Sequence, residues 1–288
     1  VPVPRLPRDG VGGAAMTSAI RRFGLAPLSF LGTPPDDVVR IAAGAGFDFV
    51  GLRVIPVTAQ EPDFSLLPGT RRLRQAQAAL ADTGLPVADI EFLALDGTVD
   101  RGTWLPVLEA GGILGASSLT VAGCDPDRER LADTLMELSG DCREHGIRLS
   151  LEPISYQPVH SIPEAAALAA GAQCDWLPDS LHIHRFGGTA AQLAEHAANV
   201  PMLQLCDGPA EAPADHEGLV VESRSRRLVP GAGDFDLASL VQALPEDTDL
   251  SAEVPDPRRR QHLGDRTWAG LLLDGLKAVD ALARAHVG

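Results

Sequence analysis

The chain has 288 residues and a mass of 30.2 kDa, the usual size of one α/β barrel but also enough for two average domains. Hydrophobic residues make up 45% and charged residues 22%, a balance that supplies a large core and excludes a wholly disordered or membrane-embedded chain. Twenty-four Lys and Arg against 39 Asp and Glu leave a net charge of −15, a field that repels phosphate backbones and anionic lipid, so neither nucleic acid nor a membrane is an expected partner.

Residues 1–20 (VPVPRLPRDGVGGAAMTSAI) are rich in Pro, Gly and small side chains and read as a disordered extension, with Met16 an alternative start to Val1. The fold is expected over 21–288 as a single domain. From Leu25 onward short apolar runs alternate with stretches of helical period, the pattern of βα units. The expected strands are LAPLSFL (25–31), FDFVGLRV (47–54), PVADIEFLAL (86–95), SSLTVAG (117–123), IRLSLEP (147–153), CDWLPDSL (174–181), PMLQLC (201–206) and DLSAEVP (249–255). Between them lie Ala- and Leu-rich segments such as RRLRQAQAALADTG and IPEAAALAAG, several ending in the Gly that favours a helix C-cap. Eight such units point to a single closed (β/α)8 TIM barrel. The segment from Asp207 to Asp234 far exceeds the roughly two to six residues of an ordinary βα connection and reads as a lid over the barrel mouth.

The four cysteines, Cys124, Cys142, Cys174 and Cys206, form no CxxC pair and read as reduced core thiols. No run approaches the ~18 apolar residues of a spanning helix, and no apolar stretch follows Arg5 and Arg8, so the expected location is cytoplasmic.

Side-chain alternation predicts what lines the barrel. In IRLSLEP, Leu149 and Leu151 face the helices and Arg148, Ser150 and Glu152 face inward. The same rule turns Met202, Gln204 and Cys206 inward on the seventh strand, Ser251 and Glu253 on the eighth, and Arg53, Asp89 and Glu91 on the second and third. Glu152, Asp179, Gln204 and Glu253 therefore stand at the ends of strands five to eight, spaced 27, 25 and 49 residues apart. Three carboxylates in a partly dry mouth stay ionised together only beside a compensating cation. All-oxygen donors select Mn²⁺ or Mg²⁺ over metals that prefer imidazole or thiolate. The alternative is ion pairing with Arg53, Arg148 or the lid arginines, which each acid taken singly would favour.

The segments SLEP (150–153), DSLHIHRFGGT (179–189), LQLCD (203–207), SRSRRLVPGAGDFDL (223–237) and LSAEVP (250–255) resemble the sugar phosphate isomerase/epimerase family with its xylose isomerase-like TIM barrel, over nearly the whole chain from Leu25. The resemblance implies one divalent metal on Glu152, Asp179, Gln204 and Glu253, with His182 and Arg227 contacting substrate. Ketose 3-epimerases of that family usually have His where this chain has Gln204, and a further Glu where it has Pro158. Gln as third ligand and the loop residues Ser223, Arg224, Arg227, Pro230, Gly231, Gly233, Asp234, Phe235, Asp236 and Leu237 are instead similar to bacterial 3-dehydroshikimate dehydratases. The related abasic-site endonucleases have a His-rich multi-zinc site and a basic groove, and this sequence has neither.

The expected activity is isomerisation or epimerisation of a small sugar, sugar phosphate or polyol ketone by proton abstraction beside a carbonyl, with Glu152 and Glu253 as the bases. A dehydratase of the dehydroshikimate type is the alternative, and a non-catalytic carbohydrate-binding barrel the third reading. Arg227 is expected over the mouth as a two-pronged reader of an anionic substrate. His182, His184, Arg53 and Glu91 are further candidates for substrate contact, although the last two can pair with each other. His160, Tyr156 and Trp268 are assigned to packing. The partner is a small hydroxy-carbonyl compound, and homo-oligomerisation is left open.

Overall fold

The computed structural model describes residues 21–58 and 61–285; the extension assigned to 1–20 lies outside them. Eight parallel strands alternate with helices in chain order: β1 (Phe23–Leu25), α1 (Pro35–Ala45), β2 (Phe49–Arg53), α2 (Arg71–Thr83), β3 (Val87–Leu95), α3 (Arg101–Leu114), β4 (Ser118–Gly123), α4 (Arg128–Glu144), β5 (Arg148–Glu152), α5 (Ile162–Ala172) and β6 (Asp175–Trp176). They continue through α6 (Ser180–Arg185), α7 (Ala190–Glu195), β7 (Met202–Leu205), α8 (His216–Ser225), α9 (Leu237–Gln242), β8 (Asp249–Ala252), α10 (Pro257–Leu263) and α11 (Asp265–Ala285). The ladder runs β6-β5-β4-β3-β2-β1-β8-β7, and a parallel bridge between Asp179 and Gln204 joins its two ends. Eight strands curled in this way make a (β/α)8 barrel.

Two strands end earlier than their apolar runs suggest, both at proline. Pro27 has no N–H for the ladder, so PLSF (27–30) turns into one turn of 3-10 helix instead of extending the first strand to residue 31. Its Ser29 hydroxyl donates to the Ala252 carbonyl at 2.9 Å and accepts from the Val254 N–H at 2.8 Å, which ties this turn to the eighth strand. On the sixth strand Pro178 interrupts pairing, and Asp179 becomes the N-cap of α6, accepting from the N–H groups of Leu181 (2.7 Å) and His182 (3.4 Å). Capping by Thr70, Asp100, Asp127 and Ser161 starts α2 to α5 in the same way.

Inside the barrel the lower end is filled by Phe49, Leu177 and Met202. Gly24 leaves the space that the Phe49 ring occupies. The other apolar face of each strand packs on the helices in one continuous core containing Trp104, Trp176 and Trp268. Cys142, Cys174 and Cys206 are buried and Cys124 half-buried, all as free thiols. Above the apolar plug the inward face turns polar, and that change positions the site. Among the described residues no helix is long and apolar enough to cross a membrane.

Candidate active site

Alternation along β5, β7 and β8 brings Glu152, Gln204 and Glu253 to the mouth, each no more than 6% exposed. Asp179 joins them from the cap of α6 and is fully buried. Glu152, Asp179 and His182 each offer a donor atom within 4.8 Å of the others. His182 reaches Asp179 because the chain turns helical at Ser180: three residues on in a helix lie above the cap, whereas three residues on in a strand would face away.

The His182 ring has a defined role in hydrogen bonding. Its Nδ1 accepts from the Ser155 N–H at 3.3 Å, so the proton of the neutral ring sits on Nε2, which faces Glu152 Oε1 at 3.8 Å. Burial pushes its pKa down to about 4, and the ring is neutral at pH 7. An Nε2–H is a donor, so the tautomer favours a hydrogen bond to substrate or to Glu152 over metal ligation, although the distances alone admit His182 as a ligand. His184, two residues on, is turned elsewhere: it stacks on Phe235 with ring centroids 4.0 Å apart and its Nδ1 meets the Ser180 carbonyl at 2.8 Å.

Arg227 departs from the sequence expectation. Its guanidinium is 1% exposed and saturated from within the protein. Nη1 donates to Asp179 Oδ2 at 2.5 Å, Nη2 lies 3.0 Å from Glu253 Oε2, and Nε donates to the Ser223 carbonyl at 2.7 Å. A guanidinium with these commitments has no free fork for a substrate carboxylate or phosphate, so its place is that of an internal cation. Arg227 holds the Asp179 carboxyl below the ordinary range despite its burial. The Glu253 carboxyl, on the same guanidinium, is nevertheless pushed well up by burial and by Glu91 and Asp179. Glu152, with no cation in contact, is also pushed well up by burial, Glu253 and Asp179.

Behind this group a second acidic pair, Asp89 and Glu91, is buried on β3. Gln204 Nε2 donates to Glu91 Oε1 at 3.1 Å, and Gln204 Oε1 is buried with no partner among the described residues. Arg53 stands between two carboxylates without closing on either: Nε is 4.0 Å from Glu61 and Nη2 4.0 Å from Glu91. Among the described residues the buried Arg53 Nε has no hydrogen-bond partner. Arg53 also lines a narrow cleft between the loops after β1 and β2, walled by Phe30, Leu31, Ile55, Pro56 and Phe64. The acidic group is not on the cleft wall, and Arg53 is the residue that links the two.

The lid segment is more ordered than its composition suggests. Asp215 caps α8, and α8 is fixed on both sides, by Arg185 to Glu222 (2.7 and 2.6 Å) and by Arg224 to Glu61 (2.6 Å). Arg185 is thereby accounted for, and Glu222 pairs with it rather than with a lid arginine. Tyr156, assigned to packing from sequence, joins lid and site: its hydroxyl lies 3.1 Å from Ser223 Oγ and its ring meets His182 edge-on at 5.7 Å. Asp207, read from sequence only as the start of the lid, organises it. Its buried carboxylate accepts from the N–H groups of Gly208 (2.8 Å), Gly231 (3.0 Å) and Phe235 (3.0 Å) and folds the lid back toward α9. His160 is exposed and bonds to nearby carbonyls, and Trp268 is in the core.

The residues fit a cation: Glu152, Asp179 and His182 bring donor atoms within 4.8 Å of one another, and Gln204 Oε1 is a buried acceptor without a donor among the described residues.

No curated protein matches the sequence significantly. Among solved structures, a xylose isomerase-like TIM barrel/4-hydroxyphenylpyruvate dioxygenase fusion protein superposes with a TM-score of 0.74 at 20% identity, over 93% of this chain and 44% of that one. This chain thus spans less than half of the fusion protein. A zinc-binding IOLI protein gives 0.70 at 15% identity, over 90% of this chain and 98% of that one. D-allulose 3-epimerase from Methylomonas sp. gives 0.66 at 16% identity, over 91% and 98%. These likenesses concern the fold. A sequence profile matches residues 39–279, most of the barrel, and the chain belongs to the xylose isomerase-like TIM barrel family.

Proposed function

We infer that the protein is a divalent-metal-dependent isomerase or epimerase of a small sugar, sugar phosphate or polyol ketone. The observation that carries this reading is the buried quartet Glu152, Asp179, Gln204 and Glu253 at four successive strand ends, in which Gln204 Oε1 has no partner. The epimerases among proteins of the same fold support it. Glu152, Asp179, Gln204 and Glu253 would hold the ion, Mn²⁺ or Mg²⁺ by donor type. When bound, such an ion would polarise a carbonyl and its neighbouring hydroxyl oxygen and make the C–H of the hydroxyl-bearing carbon next to the carbonyl more acidic.

The chain's own residues supply the rest. Glu152 and Glu253 approach from strands five and eight, and each would take or return a proton at the substrate carbon; two such carboxylates on different faces permit epimerisation. His182 would donate from Nε2 to a substrate oxygen. The unpartnered Arg53 Nε would meet the far end of the substrate. The lid, held by Arg185, Glu222, Arg224 and Glu61, would keep water from the reacting carbon. Arg227 would act from within, holding Asp179 and Glu253 in register.

The loop similarity to dehydratases carries less weight once its contacts are known. Gly231, Gly233 and Phe235 serve the turn around Asp207, and Arg224 and Arg227 are bound to protein carboxylates. The motif therefore encodes lid architecture. A substrate panel with added Mn²⁺ in D₂O tests the assignment. Products of unchanged formula with solvent deuterium on carbon are expected. Loss of water with a new near-ultraviolet chromophore would establish the dehydratase instead, and sugar binding without turnover would establish a binding protein.

A further inference from the structure

The third member of the quartet is an amide, and an amide has two ends. Gln204 serves a cation only with Oε1 forward; turned by half a circle it would present an NH₂ group that repels one. Carboxylate ligands have no such ambiguity, so something in the barrel must choose the orientation. The choice is visible behind the side chain, where Nε2 donates to Glu91 Oε1 at 3.1 Å and Oε1 is left unpartnered. The parallel bridge between Asp179 and Gln204 puts the two side chains on the same inward face.

Glu91 is buried on β3, with Asp89 two residues before it on the same face and Arg53 Nη2 4.0 Å from its Oε2. Asp89 accepts from the Thr120 hydroxyl at 3.5 Å and lies against Gly51, where an added Cβ would come within 2.6 Å of Asp89 Oδ1. Glu91 Oε1 accepts from the Gln204 amide, a contact that Nε2 can make as a donor and the amide oxygen cannot.

We propose that Glu91 is a positioning residue that fixes Gln204 as an oxygen donor, by accepting from its Nε2. This replaces the expectation that Glu91 meets substrate, and it rests on the metal site inferred above. Glu91→Gln keeps a side-chain oxygen that can accept from Gln204 Nε2. Glu91→Leu has similar bulk and removes the acceptor.

The test is titration of Mn²⁺ into chelator-stripped full-length protein by calorimetry, with circular dichroism to establish folding. Glu91→Gln should bind Mn²⁺ within about threefold of the unaltered protein, and Glu91→Leu about 10- to 100-fold more weakly, the range for loss of a group that orients a ligand. Where Glu91→Leu fails to fold, Glu91→Ser, too short to reach Gln204, is expected to show the same loss. Equal weakening by Gln and Leu would mean that only the charge of Glu91 matters and would overturn the proposal, as would unchanged affinity in Glu91→Leu or, where it replaces Leu, in Glu91→Ser. Absence of Mn²⁺ binding by the unaltered protein would instead remove the metal site, and this proposal with it.

Discussion

Replacing Arg227 by Met strips two buried carboxylates of their cation while keeping most of the side-chain volume. Asp179 is fully buried and Glu253 5% exposed, and Arg227 is within 3.0 Å of an oxygen of each. Removing one partner of a buried ion pair costs about 3–5 kcal/mol because the remaining charge stays uncompensated. For a chain of this size each kcal/mol moves the melting temperature by roughly 2 °C, so metal-free Arg227→Met should melt about 6–10 °C below the unaltered protein near pH 7. The gap should depend on pH with a definite sign. Arg227 lowers the folded-state pKa of Asp179, so this stabilisation is present above the ordinary carboxylate range and is lost as pH falls. Differential scanning fluorimetry from pH 7 down to about 2.5 should therefore show the two melting curves converging below the ordinary Asp value of 3.8. A divalent ion supplies the missing charge, so Mn²⁺ should raise the melting temperature of the variant more than that of the unaltered protein. A variant melting within about 2 °C of the unaltered protein at pH 7 without metal would refute the account of Arg227 as the internal cation.

Three further outcomes follow from the geometry. His182→Ala should lower kcat while leaving Mn²⁺ stoichiometry intact, because Nε2 carries the proton; loss of metal on elemental analysis would mean that the ring is a ligand. Burial and mutual repulsion raise the pKa of Glu152 and Glu253, so metal uptake should release protons, more at pH 6 than at pH 8, as read by calorimetry in buffers of different ionisation enthalpy. Gly233→Ala would bring a Cβ within 2.5 Å of the Gly208 carbonyl, and a local cost of about 1–3 kcal/mol should loosen the lid, seen as faster tryptic cleavage at Arg224 and Arg226 with little change in global melting.

The barrel was legible because a parallel sheet buried on both sides writes each strand as an apolar run, and alternation within the run separates lumen from helices. Glu152, Gln204 and Glu253 could be placed by counting from a leucine. Pro27 and Pro178 shortened two runs, which apolarity alone does not reveal. For His182 the strand period gave the wrong parity until Asp179 ended the strand and began a helix. Arg227 was legible as a special residue but not in its role, since its partners Asp179 and Glu253 lie 48 and 26 residues away and meet it only in the closed barrel. Asp207 looked like any loop acid; three N–H groups converging on one carboxylate leave no trace in composition.

The distribution of charge within the mouth identifies the carboxylate most in need of a cation. Five buried acids, Asp89, Glu91, Glu152, Asp179 and Glu253, face Arg227 and, more distantly, Arg53. Glu91, beside Asp89 on β3, has Arg53 Nη2 at 4.0 Å, and Asp179 and Glu253 share the guanidinium of Arg227. Glu152 has neither arrangement. Its near neighbour is the ring of His182, which burial keeps neutral, so at pH 7 it offers a hydrogen bond but no charge. A group in that position either takes up a proton or gains an added cation, and the two alternatives compete at the same oxygen atoms. Catalysis by a carboxylate requires that it accept a proton during the reaction and be ionised before it. The site therefore leaves uncompensated the one acid whose ionisation an incoming divalent ion would secure, while Arg227 keeps the opposite wall of the mouth assembled in its absence.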